Sequence, residues 1–203
     1  NTSRIPGADE NSVAHSLEKI ISLRPEHISV YSLTVEPGTK LSGFIEKGCY
    51  GEPSQEYCEQ QTILINRLLA GAGYLHYEIS NYALPLRRAV HNSAYWNHSP
   101  YTGYGPAAHS FDGKERQWNP ESVKKYISGV GRGREVLSQE QLRIEKIMLA
   151  LRTSDGIQRS LLPKIKTKAS ICKGYLELVP GTACVRIPED KWIISAFLIS
   201  SLV

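Results

Sequence analysis

Two amphipathic segments, each followed by a short apolar run, constrain the fold of this chain more than any other feature. Residues 9–23 carry apolar side chains at helical spacing, and Pro25 follows their end. The run 27–33, HISVYSL, is short and β-branched, which predicts a buried strand. A second predicted helix (54–70) and strand (74–80) repeat the order. This alternation is typical of an α/β fold with a parallel sheet.

Polar side chains follow both predicted strands. Thr34 and Glu36 come after the first strand, and Glu78 lies near the end of the second. Functional side chains of parallel sheets gather at the carboxyl ends of strands, so all three are candidates for ligand contact. The alternative for Thr34 and Glu36, a turn before Pro37-Gly38, is preferred. For Glu78, ligand contact and a purely structural role stay equally open.

The stretch 74–111 concentrates aromatic and imidazole side chains, with four of the six histidines and six of the eleven tyrosines. It contains the blocks EISNY (78–82) and HNSAYW (91–96), and a glycine-rich tail (103–109). Such side chains beside flexible backbone favour a surface that meets a planar or polar ligand. The alternative is a well-satisfied loop packed on a sheet. The histidine spacing does not support a metal cluster.

Composition excludes several classes of protein. The chain of 203 residues has a net charge of +4 and lacks an apolar run long enough for a transmembrane helix. The first residues show no apolar segment typical of a secretory signal, so we expect a cytoplasmic protein with free thiols. The four cysteines, at positions 49, 58, 172 and 184, fit no zinc or iron–sulfur spacing. The start lacks an initiator methionine, so we expect the chain to be part of a longer protein.

Turn and cap signals organise the rest of the chain. Asp112-Gly113 predicts a hairpin over 107–118, and Asn119 is expected to cap a helix that runs to about Ser128. The glycines of 129–133 are read as a linker.

The last seventy residues predict a separate unit. Ser138 and Gln141 form a capping box at the start of an apolar helix, and Pro180-Gly181 lies between two short strands. A final apolar helix is expected over 192–202. Helices and a small hairpin in this order indicate a winged-helix-like module, which can bind DNA. The lysines of the stretch 160–173 are read as a solvated face in preference to a nucleic-acid site.

Five blocks of the sequence resemble one family. They are HISVYSLTVEPGT (27–39), GYLHYEISNYA (73–83), HNSAYW (91–96), YTGYGPAAHS (101–110) and EKIMLALRTSDGI (145–157). They resemble the radical-SAM oxygen-independent coproporphyrinogen III oxidase-like family, and the HNxxYW block resembles its heme-chaperone branch.

The resemblance implies an α/β fold, α+β in this piece. It would contain the C-terminal part of a partial TIM-like radical-SAM barrel (1–84), a bridging segment with the HNxxYW block (85–134), and a winged-helix-like domain (135–203).

The resemblance also implies site residues. Thr34 matches a position near S-adenosylmethionine, and Glu78 lies where a barrel cavity would be. His91 matches the motif histidine tied to heme, so it is a possible heme-iron ligand, and Asn92, Tyr95 and Trp96 match the rest of the motif. A neutral imidazole is a good axial ligand, and aromatic rings offer flat faces to a macrocycle. The alternative for His91 is a structural histidine that bonds a loop carbonyl.

The family also implies cofactors and functions. Heme is expected here, whereas S-adenosylmethionine and a 4Fe-4S cluster are expected only in the full-length protein, because this chain contains no CxxxCxxC motif. Delivery of heme to a client protein is the preferred function. The alternatives are oxidative decarboxylation of coproporphyrinogen III and, well behind, nucleic-acid binding. Whether the protein is an enzyme stays open, and this piece is expected to be inactive alone. Arg87 and Arg88 are further candidates, as partners of heme propionates.

Overall fold

A computed structural model describes residues 2–3, 10–51 and 54–203. The chain forms two compact units, residues 1–88 and 89–203. Each unit is described by itself. Within the described residues, no helix has both the length and the apolar character needed to cross a membrane. The division into 1–84, 85–134 and 135–203 stays a prediction.

The described residues of the first unit form three helices and five short strands. The helices are α1 (Glu10–Ser22), α2 (Lys40–Glu46) and α3 (Gln55–Gly71). The strands are β1 (Thr2–Ser3), β2 (His27–Ser29), β3 (Tyr31–Ser32), β4 (Leu75–Glu78) and β5 (Asn81–Ala83).

Local signals place the helices of this unit as the sequence predicts. The Ser54 hydroxyl accepts a hydrogen bond from the Tyr57 backbone at 3.2 Å and caps α3. α1 begins at Glu10, and the predicted cap Asp9 lies outside the described residues. The apolar faces of α1 and α3 pack with the strands into one core. Its buried members are Val13, Leu17, Ile28, Val30, Ile65, Leu69, Tyr74 and Tyr82.

The two predicted strands do not pair with each other as neighbours in a parallel sheet. β5 lies between β2 and β4 and pairs antiparallel with both, so the central strand is one that the sequence pattern does not predict. Only two residues separate β4 from β5, and so short a connection permits antiparallel pairing alone. A register shift between His76 and Glu78 bends β4 beside this turn. Parallel pairing occurs between β1 and β3.

The second unit contains five helices and six strands. The helices are α4 (Val90–Trp96), α5 (Val123–Ile127), α6 (Gln139–Ala150), α7 (Lys164–Cys172) and α8 (Ser195–Leu202). The strands are β6 (His109–Phe111), β7 (Glu115–Trp118), β8 (Gly133–Val136), β9 (Ile157–Gln158), β10 (Glu177–Leu178) and β11 (Cys184–Arg186). Short 3-10 helices occupy Arg159–Leu161 and Glu189–Ile194.

The antiparallel sheet β6–β7–β8 begins with the predicted hairpin. Asp112 accepts hydrogen bonds from the Lys114 and Glu115 backbones at 2.8 and 2.6 Å, and Gly113 has a φ of 101°. The sequence predicts a linker over 129–133, whereas the strand β8 begins at Gly133. A Cβ at Gly133 would lie 2.1 Å from the Trp118 ring, so glycine is needed where β8 crosses that ring.

The predicted cap at Asn119 is also wrong. The helix starts later, with Ser122 as its cap, because the buried Asn119 side chain is used elsewhere. Its amide donates to the Gly105 carbonyl at 2.8 Å and ties down the glycine-rich loop. Asn119, which local rules assign to a helix end, thus makes a tertiary contact with Gly105 instead.

The C-terminal elements share one core, and the capping box at Ser138 is confirmed. β10, β11 and β9 form an antiparallel sheet, with the predicted hairpin across Pro180-Gly181. The predicted final helix is a 3-10 helix followed by α8. Buried apolar side chains from the C-terminal helices, strands and connecting segments pack together between the helices and this sheet. They are Ile147, Leu151, Ile157, Leu162, Leu176, Val185, Ile187, Trp192, Leu198, Ile199 and Leu202.

Candidate functional site

The predicted site residues lie in both units, with Thr34 and Glu78 in the first. Thr34 is exposed in the loop between β3 and α2. The neighbouring Glu36 belongs to a turn, since its carbonyl accepts the Thr39 hydroxyl at 2.8 Å and Gly38 has a φ of 77°. This geometry agrees with the turn interpretation for Glu36. A ligand role for Thr34 stays a prediction.

Glu78 ends β4 and is completely buried. One carboxylate oxygen accepts the Ser80 backbone N–H at 3.0 Å, and the other accepts the side-chain amide of Asn81. Asn81 is itself buried. Both oxygens are therefore bonded within the β4–β5 turn, and the carboxylate closes that turn from inside.

Aromatic contacts surround the same strand. The His76 and Tyr82 rings stack at 4.1 Å, and the Tyr82 hydroxyl donates to Asn66. Tyr77 is buried, and its hydroxyl lies 2.9 Å from Nε2 of His27. Burial lowers the pKa of His27 below its ordinary value, because the charged imidazolium loses hydration. This part of the first unit is a closed network of ring and hydrogen-bond contacts.

The two arginines after β5 have partners within the first unit. The Arg88 guanidinium lies over the Tyr77 ring, 5.3 Å from its centroid, and Arg87 pairs with Glu26 at 3.4 Å. A role for either in binding propionates stays a prediction.

The HNxxYW block folds as α4 in the second unit and differs sharply from the Glu78 region. His91 is exposed, Tyr95 is 39% exposed, and Asn92 and Trp96 are half-buried. His91 and Tyr95 are one turn apart, and their rings meet edge-on at 4.8 Å. Among the described residues the His91 side chain makes no hydrogen bond, so bonding of this ring to a loop carbonyl is not observed. Its ring nitrogens face no protein partner within the described part of the chain.

An aromatic ladder leads from this histidine into the unit. We use that name for His91, Tyr95, Tyr101 and Phe111. Tyr95 and Tyr101 meet edge-on at 4.7 Å, and Tyr101 and Phe111 lie 6.3 Å apart. Backbone hydrogen bonds of 2.8 and 2.9 Å join Tyr101 and Phe111, so the buried end of the ladder is held by a β-bridge.

Two charged or titratable side chains, His98 and Arg116, contact the Phe111 ring. The His98 ring stacks on it at 4.6 Å, and the Arg116 guanidinium lies 5.8 Å from its centroid. Both converge on Glu145, which bonds Nε2 of His98 at 3.0 Å and Arg116 at 3.0 and 2.8 Å. The hydrogen bonds from Arg116 hold the pKa of Glu145 below its ordinary value, with a smaller contribution from His98.

Sequence reasoning missed this arrangement. Glu145, on α6, lies within the family-like block 145–157, and a charged residue among apolar helix positions is a signal of a buried partner. Arg116 and His98 lie too far from it along the chain for spacing to connect them.

A cleft of about 530 Å³ opens beside the ladder in the second unit. Tyr101 and Phe111 belong to its wall. Its remaining lining residues are Pro100, Thr102, Ser110, Asp112, Glu115, Gln117 and Arg132.

The donor atoms present decide which metal groups fit. In the described ranges no three His, Cys, Asp or Glu side chains are grouped to hold a metal ion, and the four cysteines are separate free thiols. These thiols do not fit a 4Fe-4S cluster, which requires several grouped thiolates. Heme iron needs only one axial imidazole from the protein, and the open ring of His91 beside Tyr95 fits that requirement.

The chain is similar to several known proteins. No family model matches the chain. It is 33% identical over 162 residues to "Heme chaperone HemW" of Bacillus subtilis, covering 76% of this chain and 42% of that protein. It is 28% identical over 181 residues to the protein of the same name from Mycobacterium tuberculosis, covering 85% and 46%. A relative from Danio rerio, "Radical S-adenosyl methionine domain-containing protein 1, mitochondrial", is 30% identical over 75% of this chain and 38% of its own length.

Among solved structures, the fold matches coproporphyrinogen III oxidase from Escherichia coli, described as a radical SAM enzyme. The TM-score is 0.73 at 14% identity, over 98% of this chain and 53% of that one. The predicted α/β class and the partial radical-SAM fold are therefore confirmed. The chain spans less than half the length of the curated relatives that it matches.

Proposed function

Because this chain belongs to the radical-SAM coproporphyrinogen III oxidase-like family, on the side of its heme chaperones, we propose that it binds heme and that the full-length protein delivers heme to a client. The observation that carries the proposal is the open imidazole of His91 on α4. The resemblance to proteins named heme chaperones supports the same ligand. The client and a cytoplasmic location are parts of this proposal.

The residues of α4 have distinct roles in this proposal. Heme would supply an iron that a neutral imidazole nitrogen can coordinate. His91 would provide that nitrogen, while the edge-on contact with Tyr95 limits the rotation of its ring. The exposed part of Tyr95 and the half-buried Trp96 offer apolar surface to a flat ligand. Asn92, next to His91, offers an amide to polar groups at the ligand's edge.

The proposed site holds heme without the chemistry of a radical-SAM enzyme. The thiols of this chain do not fit a 4Fe-4S cluster, so both the cluster and S-adenosylmethionine are proposed for the full-length protein only. Thr34 and Glu78 stay candidates for the S-adenosylmethionine side of that protein. Of the two, exposed Thr34 is the one that a ligand can reach without rearrangement of the described structure.

Heme titration of His91→Ala tests the proposal. We expect wild-type protein to show a Soret band shift that saturates at one heme per chain, and the variant to lose it or to bind at least about tenfold more weakly. His15→Ala is the matched control, because His15 is also an exposed histidine on a helix. Equal spectra and affinities for His91→Ala and wild type would show that His91 is not the ligand.

The oxidase alternative comes from the resemblance of the sequence to the wider family, whereas the match to the solved oxidase at 14% identity concerns the fold alone. Full-length protein with a reconstituted cluster distinguishes the two functions. Conversion of coproporphyrinogen III propionates to vinyl groups would favour the oxidase. Heme binding without that conversion is the result expected of a chaperone.

A further inference from the structure

The helix that carries His91 has little that holds it in place by itself. α4 has seven residues, none of them buried. Its N-cap residue, Ala89, makes no side-chain hydrogen bond to the helix. Helices of this length are marginal in water and depend on tertiary contacts. The orientation of His91 must therefore be set by groups outside α4.

The end of α4 is fixed at His98. This residue has a φ of 57°, which side chains other than glycine rarely adopt, and its N–H bonds to the Tyr95 carbonyl at 3.0 Å. The following Ser99 N–H bonds to the Ala94 carbonyl at 3.0 Å. The two bonds close the last turn of the helix, as in a Schellman motif. His98 therefore occupies the position at the helix end that glycine usually takes.

The side chain of His98 is anchored to the core of the second unit. The His98 side chain is 13% exposed, stacks on Phe111, and bonds Glu145 at 3.0 Å. Arg116 binds the same carboxylate with two hydrogen bonds and so fixes it from the other side. Glu145 stands on α6 and Arg116 on β7, so one ion-paired group joins the end of α4 to a long helix and to a sheet.

We propose that His98, Glu145 and Arg116 form a clamp that fixes the rotation of α4 and thereby positions His91 and Tyr95 for their ligand. These are positioning residues, and none of them needs to touch the ligand. The aromatic ladder adds a second connection, because Phe111 contacts both the clamp and Tyr101. The consequence for heme rests on the proposed function, whereas the effect on α4 does not.

Two variants release the clamp in different ways. Glu145→Gln removes the charge that both partners bind. His98→Gly removes the side chain but retains a residue suited to the positive φ, so the turn after α4 survives. Glu140→Gln is the matched control, because Glu140 is on the same helix and pairs with Arg143, at 2.7 Å on the surface.

Amide hydrogen exchange at neutral pH measures directly how strongly the clamp holds α4. We expect both releasing variants to speed exchange at residues 94–99 by about fivefold or more, through local opening of α4, with α6 unchanged. Glu140→Gln should leave α4 as in wild type. Unchanged exchange in both Glu145→Gln and His98→Gly would overturn the proposal.

Heme titration then tests what the clamp does for the site. We expect Glu145→Gln to weaken heme binding by about three- to tenfold and to broaden the Soret band, with Glu140→Gln equal to wild type. If wild type binds no heme, the proposed function fails while the exchange result still decides the clamp. If heme binds equally well when α4 has loosened, positioning of His91 by the clamp is wrong.

Discussion

Glu78 and His91 are thirteen positions apart in one aromatic-rich stretch, but their surroundings are opposite. Glu78 is fully buried, with both carboxylate oxygens bonded inside the β4–β5 turn. His91 is exposed, and its ring meets the Tyr95 ring edge-on. The Glu78 carboxylate is hydrogen-bonded within its own unit, whereas the exposed His91 imidazole is available to a group from outside the chain.

The difference indicates how similar compositions separate into structure and function. A buried carboxylate with all its bonds made stabilises a turn and is costly to disturb. An exposed imidazole contributes little to folding, so a sequence has little structural reason to specify it. Residues of the two kinds call for different measurements: unfolding for the first and ligand binding for the second.

Removal of the Glu78 carboxylate should have the largest effect on stability. Glu78→Ala leaves the Ser80 N–H and the Asn81 amide without their acceptor inside the protein. We expect a loss of about 3 kcal/mol in the free energy of unfolding, measured by urea denaturation.

Two exposed residues sharpen that comparison. Glu36→Ala removes an exposed carboxylate, and His91→Ala removes the open imidazole; each should change the free energy of unfolding by less than about 0.5 kcal/mol. If Glu78→Ala lowered the free energy of unfolding no more than Glu36→Ala, the hydrogen bonds of the Glu78 carboxylate would not stabilise the β4–β5 turn.

The Glu145 clamp should have an intermediate, pH-dependent effect. Arg116 lowers the pKa of Glu145 in the folded protein, so the stabilisation is complete above the ordinary glutamate pKa of about 4.3. It is lost as pH falls through the lower folded value. We expect wild type to be about 1–2 kcal/mol more stable than Glu145→Gln at pH 7, with the gap closing in acid.

Urea denaturation at pH 7 and at successive acidic pH values measures this gap. Glu140→Gln provides the surface comparison. A Glu145→Gln gap that stays constant into acid would show that the carboxylate charge does not stabilise the clamp.

His27 should give the smallest effect, at a higher pH. Burial lowers its folded pKa, so stability is complete above the ordinary histidine pKa of about 6.5 and declines as pH falls through the folded value. The expected decline is roughly 0.5 kcal/mol, because the side chain is only partly buried. His27→Gln should remove it. An NMR titration in which His27 has a pKa at or above the ordinary value would reverse the sign.

Much of the secondary structure follows from short-range rules. The caps at Ser54 and Ser138, the turn at Asp112-Gly113 and the hairpin across Pro180-Gly181 depend on atoms a few residues apart, and each is where the sequence predicts it. The motif residues of 91–96 were also identified from sequence, through their resemblance to a family, and they fold as α4.

The misplaced elements depend on distant partners. β5 becomes a central strand because β2 and β4 both bond to it, and Asn119 leaves its predicted helix end because Gly105 takes its amide. The same holds for the clamp, whose members His98, Arg116 and Glu145 come from three separate segments.

The sequence by itself therefore determined the helix starts at Ser54 and Ser138, the turns, the α/β class and the motif that contains His91, since these rest on local geometry and on resemblance. Only the tertiary structure decided that Glu78 is closed, that His91 is open, and that Glu145 pairs with both His98 and Arg116. The physical reason is that burial and charge pairing depend on groups far apart in the chain, and no local spacing records which of them will meet.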